Sequence, residues 1–594
     1  MKTYKSSFPR IVIILLFILS SAATQFLFGQ KVKIKIIETS DVHGAILPYD
    51  FINDRLVNHS LAQVYTYVQD EREKEDQNVL LFDNGDILQG QPIVYYYNFE
   101  KTDVTNIVAD AFNYMKYDAA TIGNHDIETG HPVYDKVYEE LSFPWLAANA
   151  VHEKTGEQYF TPYHVFEIEG VKVAVLGMIT PHIPHWLPEK IWEGIRFEDM
   201  IETAEKWIKI IENKENPDVL VGLFHAGVDY TYNNQSADKP LNENASVLVA
   251  EQVPGFDVVF VGHDHAIWNF KVENSAGDSV LILGPAAGAR TVGVANIEME
   301  FDKENEKWNK TVTGETVDIS KYGADLAFVK YFDDAFLEVK EYVSKPIGMF
   351  TESITTRESM FGDSPFMGLI HQIQLELTVA DVSFAAPLSF NSTINKDTVY
   401  VRDMFNLYKY ENLLYTMELT GKEIHDYLEY SYSLWFNEMK SQSDHLLNFE
   451  FDDEGELIVS ERSGAPRLKH RYYNFDSAVG IDYVVDVSKP LGERVKIISI
   501  HNGTEFNLEK KYKVAVNSYR GNGGGNHLTE GAKIPKDELA MRVITSTEKD
   551  LRYYMMKWIE KQKTITPAAL GNWKVIPREW WEKGKEKDYK LLYN

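Results

Sequence analysis

Seven residues able to bind a metal ion recur in short polar clusters along the first half of the chain. They are Asp41 and His43 in Ser40-Asp41-Val42-His43-Gly44, Asp86 in Asn84-Gly85-Asp86, Asn124 in Gly123-Asn124-His125-Asp126, His225, and His263 with His265 in Gly262-His263-Asp264-His265. Carboxylate, amide oxygen and imidazole together suit Zn, Mn, Co or Fe. Asp41 and His43 are alternate residues, so in an extended segment they share a face and one ion can take both; His263 and His265 repeat the spacing. Asp86 has two carboxylate oxygens and can bridge two ions. Two ions held about 3.5–4 Å apart bind a phosphate's oxygens and orient a water for in-line attack, so no protein nucleophile is required. His125, beside Asn124, is placed to protonate a leaving alkoxide as general acid. Asp126 or Glu128 could orient that imidazole and raise its pKa.

Each cluster directly follows an apolar run. Lys31 to Ile36 alternates with period two, and Val79–Phe82, Ala119–Ile122, Val219–Phe224 and Val258–Val261 precede the others. These runs predict strands, and α/β sheets build their sites at strand ends. One Asp-x-His arises by chance, and a lone strand-end histidine is more often a hydrogen-bonded surface residue; five strand ends carrying the right donors is a different matter. Amphipathic stretches such as Ile201 to Ile211 lie between the runs, which predicts α/β layering. Leu326, Val329, Phe332, Phe336, Val339 and Val343 are spaced by three and four, predicting one helix with a single buried stripe. Lys345-Pro346-Ile347-Gly348 stops it. This helix reads as a link over 323–346, between a first domain over 30–322 and a second over 347–594. Thr420-Gly421-Lys422-Glu423 opens a helix around Ile424 to Leu428 in the second.

At 594 residues the chain is long enough for two or three domains, each with its own core. A net charge of −29 argues against a nucleic-acid polymer as partner, since such a surface needs dense Lys and Arg. A small phosphate-bearing substrate stays allowed where metal ions supply positive charge. Lys2, Lys5 and Arg10, the apolar run Ile11–Leu19 and the small residues Ser20 to Ala23 have the layout of a signal peptide over 1–29. The apolar run is short for a bilayer span. The expectation is an exported chain, periplasmic or secreted, with no stable membrane association after cleavage, acting as a monomer. There is no cysteine, so stability rests on packing and bound metal.

Taken together, these residues resemble the calcineurin-like metallophosphoesterase superfamily, in its exported 5′-nucleotidase branch. Asp41-x-His43, Gly85-Asp86, Gly123-Asn124-His125-Asp126, His225 and Gly262-His263-Asp264-His265 are similar to that family's five blocks, in order. The resemblance implies α/β architecture: a four-layer β-sandwich flanked by helices, plus a separate α/β nucleotidase C-terminal domain that binds substrate. It implies one ion on Asp41, His43, Asp86 and His265, and a second on Asp86, Asn124, His225 and His263. It also implies His125 as the catalytic histidine, Asn124 as a substrate contact and Glu128 as the paired acid, where 5′-nucleotidase members carry Asp.

The second half resembles the nucleotidase C-terminal domain, which holds a nucleoside between two aromatic rings. Arg471-Tyr472-Tyr473-Asn474-Phe475-Asp476, Gly480-Ile481-Asp482-Tyr483 and Asn517-Ser518-Tyr519-Arg520 with Gly523-Gly524-Gly525-Asn526 look closest to the 2′,3′-cyclic-nucleotide 2′-phosphodiesterase/3′-nucleotidase group. Flat rings stack on any base, for about 1–3 kcal/mol per base. Tyr519 with Tyr473 or Phe475 is the expected clamp, with Arg520 as a further substrate contact. The expected function is hydrolysis of 2′,3′-cyclic nucleotides and 3′-nucleotides by two divalent ions. A 5′-nucleotidase or UDP-sugar hydrolase is the rival, and a non-catalytic nucleotide-binding protein the alternative of another class.

Overall fold

The computed structural model describes residues 31–232, 235–460, 464–501 and 503–593. The expected signal peptide lies outside these described residues. Among them no helix is long and apolar enough to cross a membrane.

The apolar runs become strands of two six-stranded sheets. The first runs Lys307–Asp318, Thr291–Asp302, Lys31–Thr39, Asn78–Asp83, Ala119–Thr121, Trp145–Leu146. The second runs Trp268–Glu273, Ser279–Gly284, Val258–Val261, Val219–His225, Val171–Ile179, Tyr163–Ile168. Every position of Val219–His225 and Val258–Val261 is buried, which is why these strands read as continuous apolar runs rather than alternations. The inner faces meet in one core, where Ile36, Leu80 and Phe82 of the first sheet join Val175, Val221 and Phe260 of the second. Helices Leu61–Arg72 and Ile107–Met115 cover the first sheet's outer face, and Met200–Glu215 and Ser246–Gln252 the second's. The order is helix, sheet, sheet, helix. Lys31–Thr39, Asn78–Asp83 and Ala119–Thr121 pair in parallel, as do Val219–His225 and Val258–Val261, so within each sheet their carboxyl ends share one edge.

The expected linking helix is two helices, Leu326–Tyr331 and Asp333–Val343, meeting at Phe332. Phe328, Phe332, Val339 and Val343 pack into the first domain's core. Leu326, expected in the stripe, is 81% exposed. Residues two apart lie about 200° around a helix, so burying Phe328 turns Leu326 outward.

The second domain is built on a five-stranded sheet in the order Ser477–Val479, Val382–Ala385, Lys511–Asn517, Leu414–Thr420, Val543–Ser546. Helix Gly421–Trp435 starts with a reciprocal cap between Thr420 and Glu423 and buries Ile424, Tyr427, Leu428 and Tyr432. The domains pack on one another: Tyr95 of the first enters a core of the second, and its hydroxyl donates to Asp550 at 3.1 Å.

Candidate active site

The strand ends of both sheets bring the seven donors to one place. Asp41, His43, Asp86 and His265 offer ligand atoms that all lie within 4.8 Å of one another, and so do Asp86, His225 and His263. Asp86 belongs to both sets. Asn124 Oδ1 lies 2.8 Å from His263 Nδ1 and 3.1 Å from His225 Nε2, which adds it to the second set. His43 and His265 face each other Nε2 to Nε2 at 3.0 Å.

The route to this convergence differs from the expected one. Asp41 and His43 are not alternate residues of a strand, because the strand ends at Thr39 and both sit in the left-handed region, at φ 51° and 48°. His263 and His265 do the same, at 74° and 58°, and Asp86 stands at 61°. Turns, rather than β alternation, therefore aim these side chains inward. Such backbone is uncommon outside glycine and gathers at functional sites. Glycines let the turns close in: a Cβ on Gly123 would stand 2.2 Å from Asp86 Oδ1, and one on Gly262 2.3 Å from Ser40 Oγ.

Hydrogen bonds fix which atoms face the centre. His43 Nδ1 lies 3.0 Å from the Gln89 carbonyl and His225 Nδ1 2.5 Å from that of Asn84, leaving Nε2 of each inward. Asp126 accepts four backbone N–H groups, from Asp86, Ile87, Leu88 and Gly123, at 2.8–3.0 Å. Its oxygens are committed to holding the Asp86 turn, so it does not orient His125. Glu128 does: its Oε2 lies 2.5 Å from His125 Nδ1. Asn412 of the second domain donates to the other Glu128 oxygen at 3.4 Å. Burial disfavours a charged His125, but Asp86 and Glu128 outweigh it and push its pKa up to about 9.

These residues fit two divalent cations. Asp86 Oδ2 is buried with no well-aligned hydrogen bond and with His225 Nε2 at 3.2 Å, a setting costly for a carboxylate unless a cation faces it. Around it the donors are imidazole nitrogen, carboxylate and amide oxygen, the set that first-row divalent metals take.

On the side of the second domain, Tyr410 lies parallel to the His125 ring, at 8° and 6.1 Å between centroids. Arg552 orders its loop, bonding the Tyr408 carbonyl at 2.9 Å and Glu411 at 2.8 Å. Tyr519 is half-buried, and Gly524 leaves space for its ring, since a Cβ on Gly524 would stand 2.5 Å from Tyr519 Cε2. Tyr473 is half-buried as well.

Phe475 is not presented to a ligand. It is 1% exposed and stacks on Trp435 at 5.1 Å and 12°, because Ser477–Val479 follows it into the sheet and draws it into the core. Nor does Arg520 reach a substrate. At 2% exposed, its guanidinium is spent on Asp476 at 2.9 Å, the Tyr473 carbonyl at 2.6 Å, the Gly524 carbonyl at 3.0 Å and Asn474 at 3.0 Å. Burial works against an ionised Asp476, but the guanidinium outweighs it and holds the carboxyl below its ordinary range. Arg520 thus ties the Tyr473 stretch to the Tyr519 stretch. Sequence reasoning missed Tyr410, Asn412, Glu243 and Trp186, which stacks on His263 at 5.4 Å and 26°. For Tyr410 a signal existed: like the metal donors it lies beside a strand terminus, just ahead of Leu414–Thr420.

Residues 34–266 match the calcineurin-like phosphoesterase family and residues 344–530 the 5′-nucleotidase C-terminal domain. A 2′,3′-cyclic-nucleotide 2′-phosphodiesterase/3′-nucleotidase of Haemophilus influenzae is 24% identical, over 94% of this chain and 90% of its own. The trifunctional nucleotide phosphoesterase protein YfkN of Bacillus subtilis is 26% identical over 92% of this chain, which spans only 39% of that relative. A 5′-nucleotidase of Vibrio cholerae is 24% identical over 69% of this chain and 77% of its own. Among solved structures, the 5′-nucleotidase precursor of Thermus thermophilus superposes with a TM-score of 0.60 at 19% identity, covering 92% of this chain and all of that one. That likeness concerns the fold. The chain joins a calcineurin-like phosphoesterase domain to a 5′-nucleotidase C-terminal domain.

Proposed function

We propose that the chain is a metal-dependent hydrolase of nucleotide phosphoesters that opens 2′,3′-cyclic nucleotides and removes the 3′-phosphate that remains. The observation that carries the phosphoester-hydrolase part of this reading is the sharing of Asp86 by two donor sets, with His125 and Glu128 paired at 2.5 Å beside it. Asp41, His43, Asp86 and His265 would hold one divalent ion, and Asp86, Asn124, His225 and His263 the other. When bound, such ions neutralise phosphate charge and activate water. Glu128 keeps a proton on His125 Nδ1, which leaves Nε2 to protonate the departing ribose oxygen. Tyr519, Tyr473 and Tyr410 supply stacking faces for the base, worth about 1–3 kcal/mol per base.

The proposal includes removal of residues 1–29 and a mature, monomeric chain acting outside the cytoplasm. The phosphoesterase unit takes 30–322, and the substrate-binding unit 347–594. Zn, Mn, Co and Fe all suit the donors. The Haemophilus relative, matched over nearly all of both chains, supports the cyclic and 3′ substrates. The test is a panel of 2′,3′-cyclic, 3′- and 5′-nucleotides with metal content measured on the same preparation. Equal or faster turnover of 5′-monophosphates supports a 5′-nucleotidase instead. Turnover that survives both chelation and His125→Ala overturns the mechanism, and nucleotide binding with no turnover at all supports a non-catalytic protein.

A further inference from the structure

The imidazoles of the two donor sets are not held alike from behind. His43 and His225 each place the nitrogen that faces away from the centre on a backbone carbonyl. His263 is turned the other way. Its Nδ1 faces Asn124 Oδ1 at 2.8 Å, and its Nε2 lies 3.4 Å from Glu243 Oε1. The second Glu243 oxygen lies 3.4 Å from His182 Nδ1. Glu243 is 6% exposed and belongs to no helix or strand, yet its backbone is fixed on both sides. Its amide donates to Gln235 and its carbonyl accepts from the Thr180 hydroxyl at 2.9 Å. A buried carboxylate is expensive unless cationic or N–H partners surround it. Here its partners include a proposed metal ligand and a second imidazole.

We propose that Glu243 is a positioning residue for the ion held by Asp86, Asn124, His225 and His263. It keeps a proton on His263 Nε2 and so leaves the Nδ1 lone pair free to point into the centre. A carboxylate behind an imidazole fixes its tautomer and raises its basicity more than a carbonyl does, and removing such a partner commonly weakens metal binding by about 10–100-fold. The other ion draws no ligand from His263, so its binding depends little on Glu243. The inference rests on the two-ion reading of the site.

The experiment is Mn(II) binding to wild-type, Glu243→Gln and Glu243→Leu protein. Stoichiometry and affinity are read by calorimetry, and coupling between the ions by electron paramagnetic resonance. Wild type is expected to take two ions and show an exchange-coupled signal. Each variant should keep one ion at wild-type affinity and bind the other at least tenfold more weakly, with an isolated-ion signal at limiting Mn(II). Two ions at wild-type affinity in both variants, or equal weakening of both ions, overturns the role of Glu243 alone. Wild-type protein that holds fewer than two ions overturns the two-ion reading and this inference with it.

Discussion

His125 and Glu128 meet at 2.5 Å, Nδ1 to Oε2, across a single turn of chain between Asn124 and Gly130. Glutamate is one methylene longer than aspartate, and the three-residue spacing on this turn gives it the reach. The contact leaves one imidazole nitrogen free, and it sets the proton state that an acid at this place needs.

Replacing His125 by Gln should lower kcat by about 10²–10⁴-fold while two ions remain bound. Steady-state kinetics together with metal analysis check this. Loss of an ion along with activity would mean that His125 shapes the centre rather than the proton transfer.

The pH dependence has a definite sign. Burial opposes a charged His125, Asp86 and Glu128 favour it, and the balance stands at about 9. An acid must be protonated to donate, so kcat should fall as pH rises through the His125 pKa, which bound cations bring below that metal-free value. Bound cations offset the charge of Asp86, which leaves Glu128 as the chief support. In Glu128→Gln the alkaline limb should move to lower pH; a limb that stays in place shows that Glu128 does not set it.

Chelation should abolish turnover and lower the melting temperature together. Ligands that bind only the folded chain stabilise it, by about 4 kcal/mol at a thousand times their dissociation constant. Calorimetric melting with and without chelator, followed by Mn(II) readdition, reads both effects. An unchanged melting temperature would count against a preformed centre.

Tyr519 and Phe475 should separate cleanly. Tyr519→Ala is expected to raise KM with little change in stability, because the ring is half-buried against Gly524. Phe475→Ala removes a ring buried against Trp435 and should cost about 3–5 kcal/mol in denaturant unfolding, with KM of the folded fraction little changed. The reverse pattern would restore Phe475 to the clamp.

Arg520→Ala leaves Asp476 buried without its cation, at a cost of about 3–5 kcal/mol. Because Arg520 also bonds the carbonyls of Tyr473 and Gly524, KM should rise too. Urea unfolding and substrate saturation curves check the two effects separately.

These residues also show what a sequence makes legible. The strands before Asp86, Asn124, His225 and His263 were readable because buried strands appear as apolar runs, and the strand before Asp41 because Lys31 to Ile36 alternates, with Lys31 and Lys33 exposed. The clamp was not. Whether Tyr410, Tyr473 or Phe475 is core or surface depends on which distant chain packs on it, and all three are aromatic rings in similar polar surroundings. Arg520 looked like a ligand contact because its partner Asp476 lies 44 residues away. Glu243 stands in a loop with no apolar run to mark it, and only the fold places it behind His263. The left-handed turns at Asp41 and His43 went unseen because alternation in the sequence suggests a strand whether or not the backbone stays extended.

Those turns restrict the substitutions open to this protein over generations. Five of the donors occupy backbone that costs an ordinary L-residue about 1–2 kcal/mol, and asparagine and aspartate are the side chains that tolerate it best. At positions 41 and 86, exchange between Asp and Asn alters charge at almost no conformational expense. Alanine at Asp41 or Asp86 adds strain to the loss of a ligand, so alanine variants there overstate what the ligand itself contributes. Asparagine or glycine is the cleaner probe, and drift at these positions should run through Asp and Asn before it reaches any aliphatic residue.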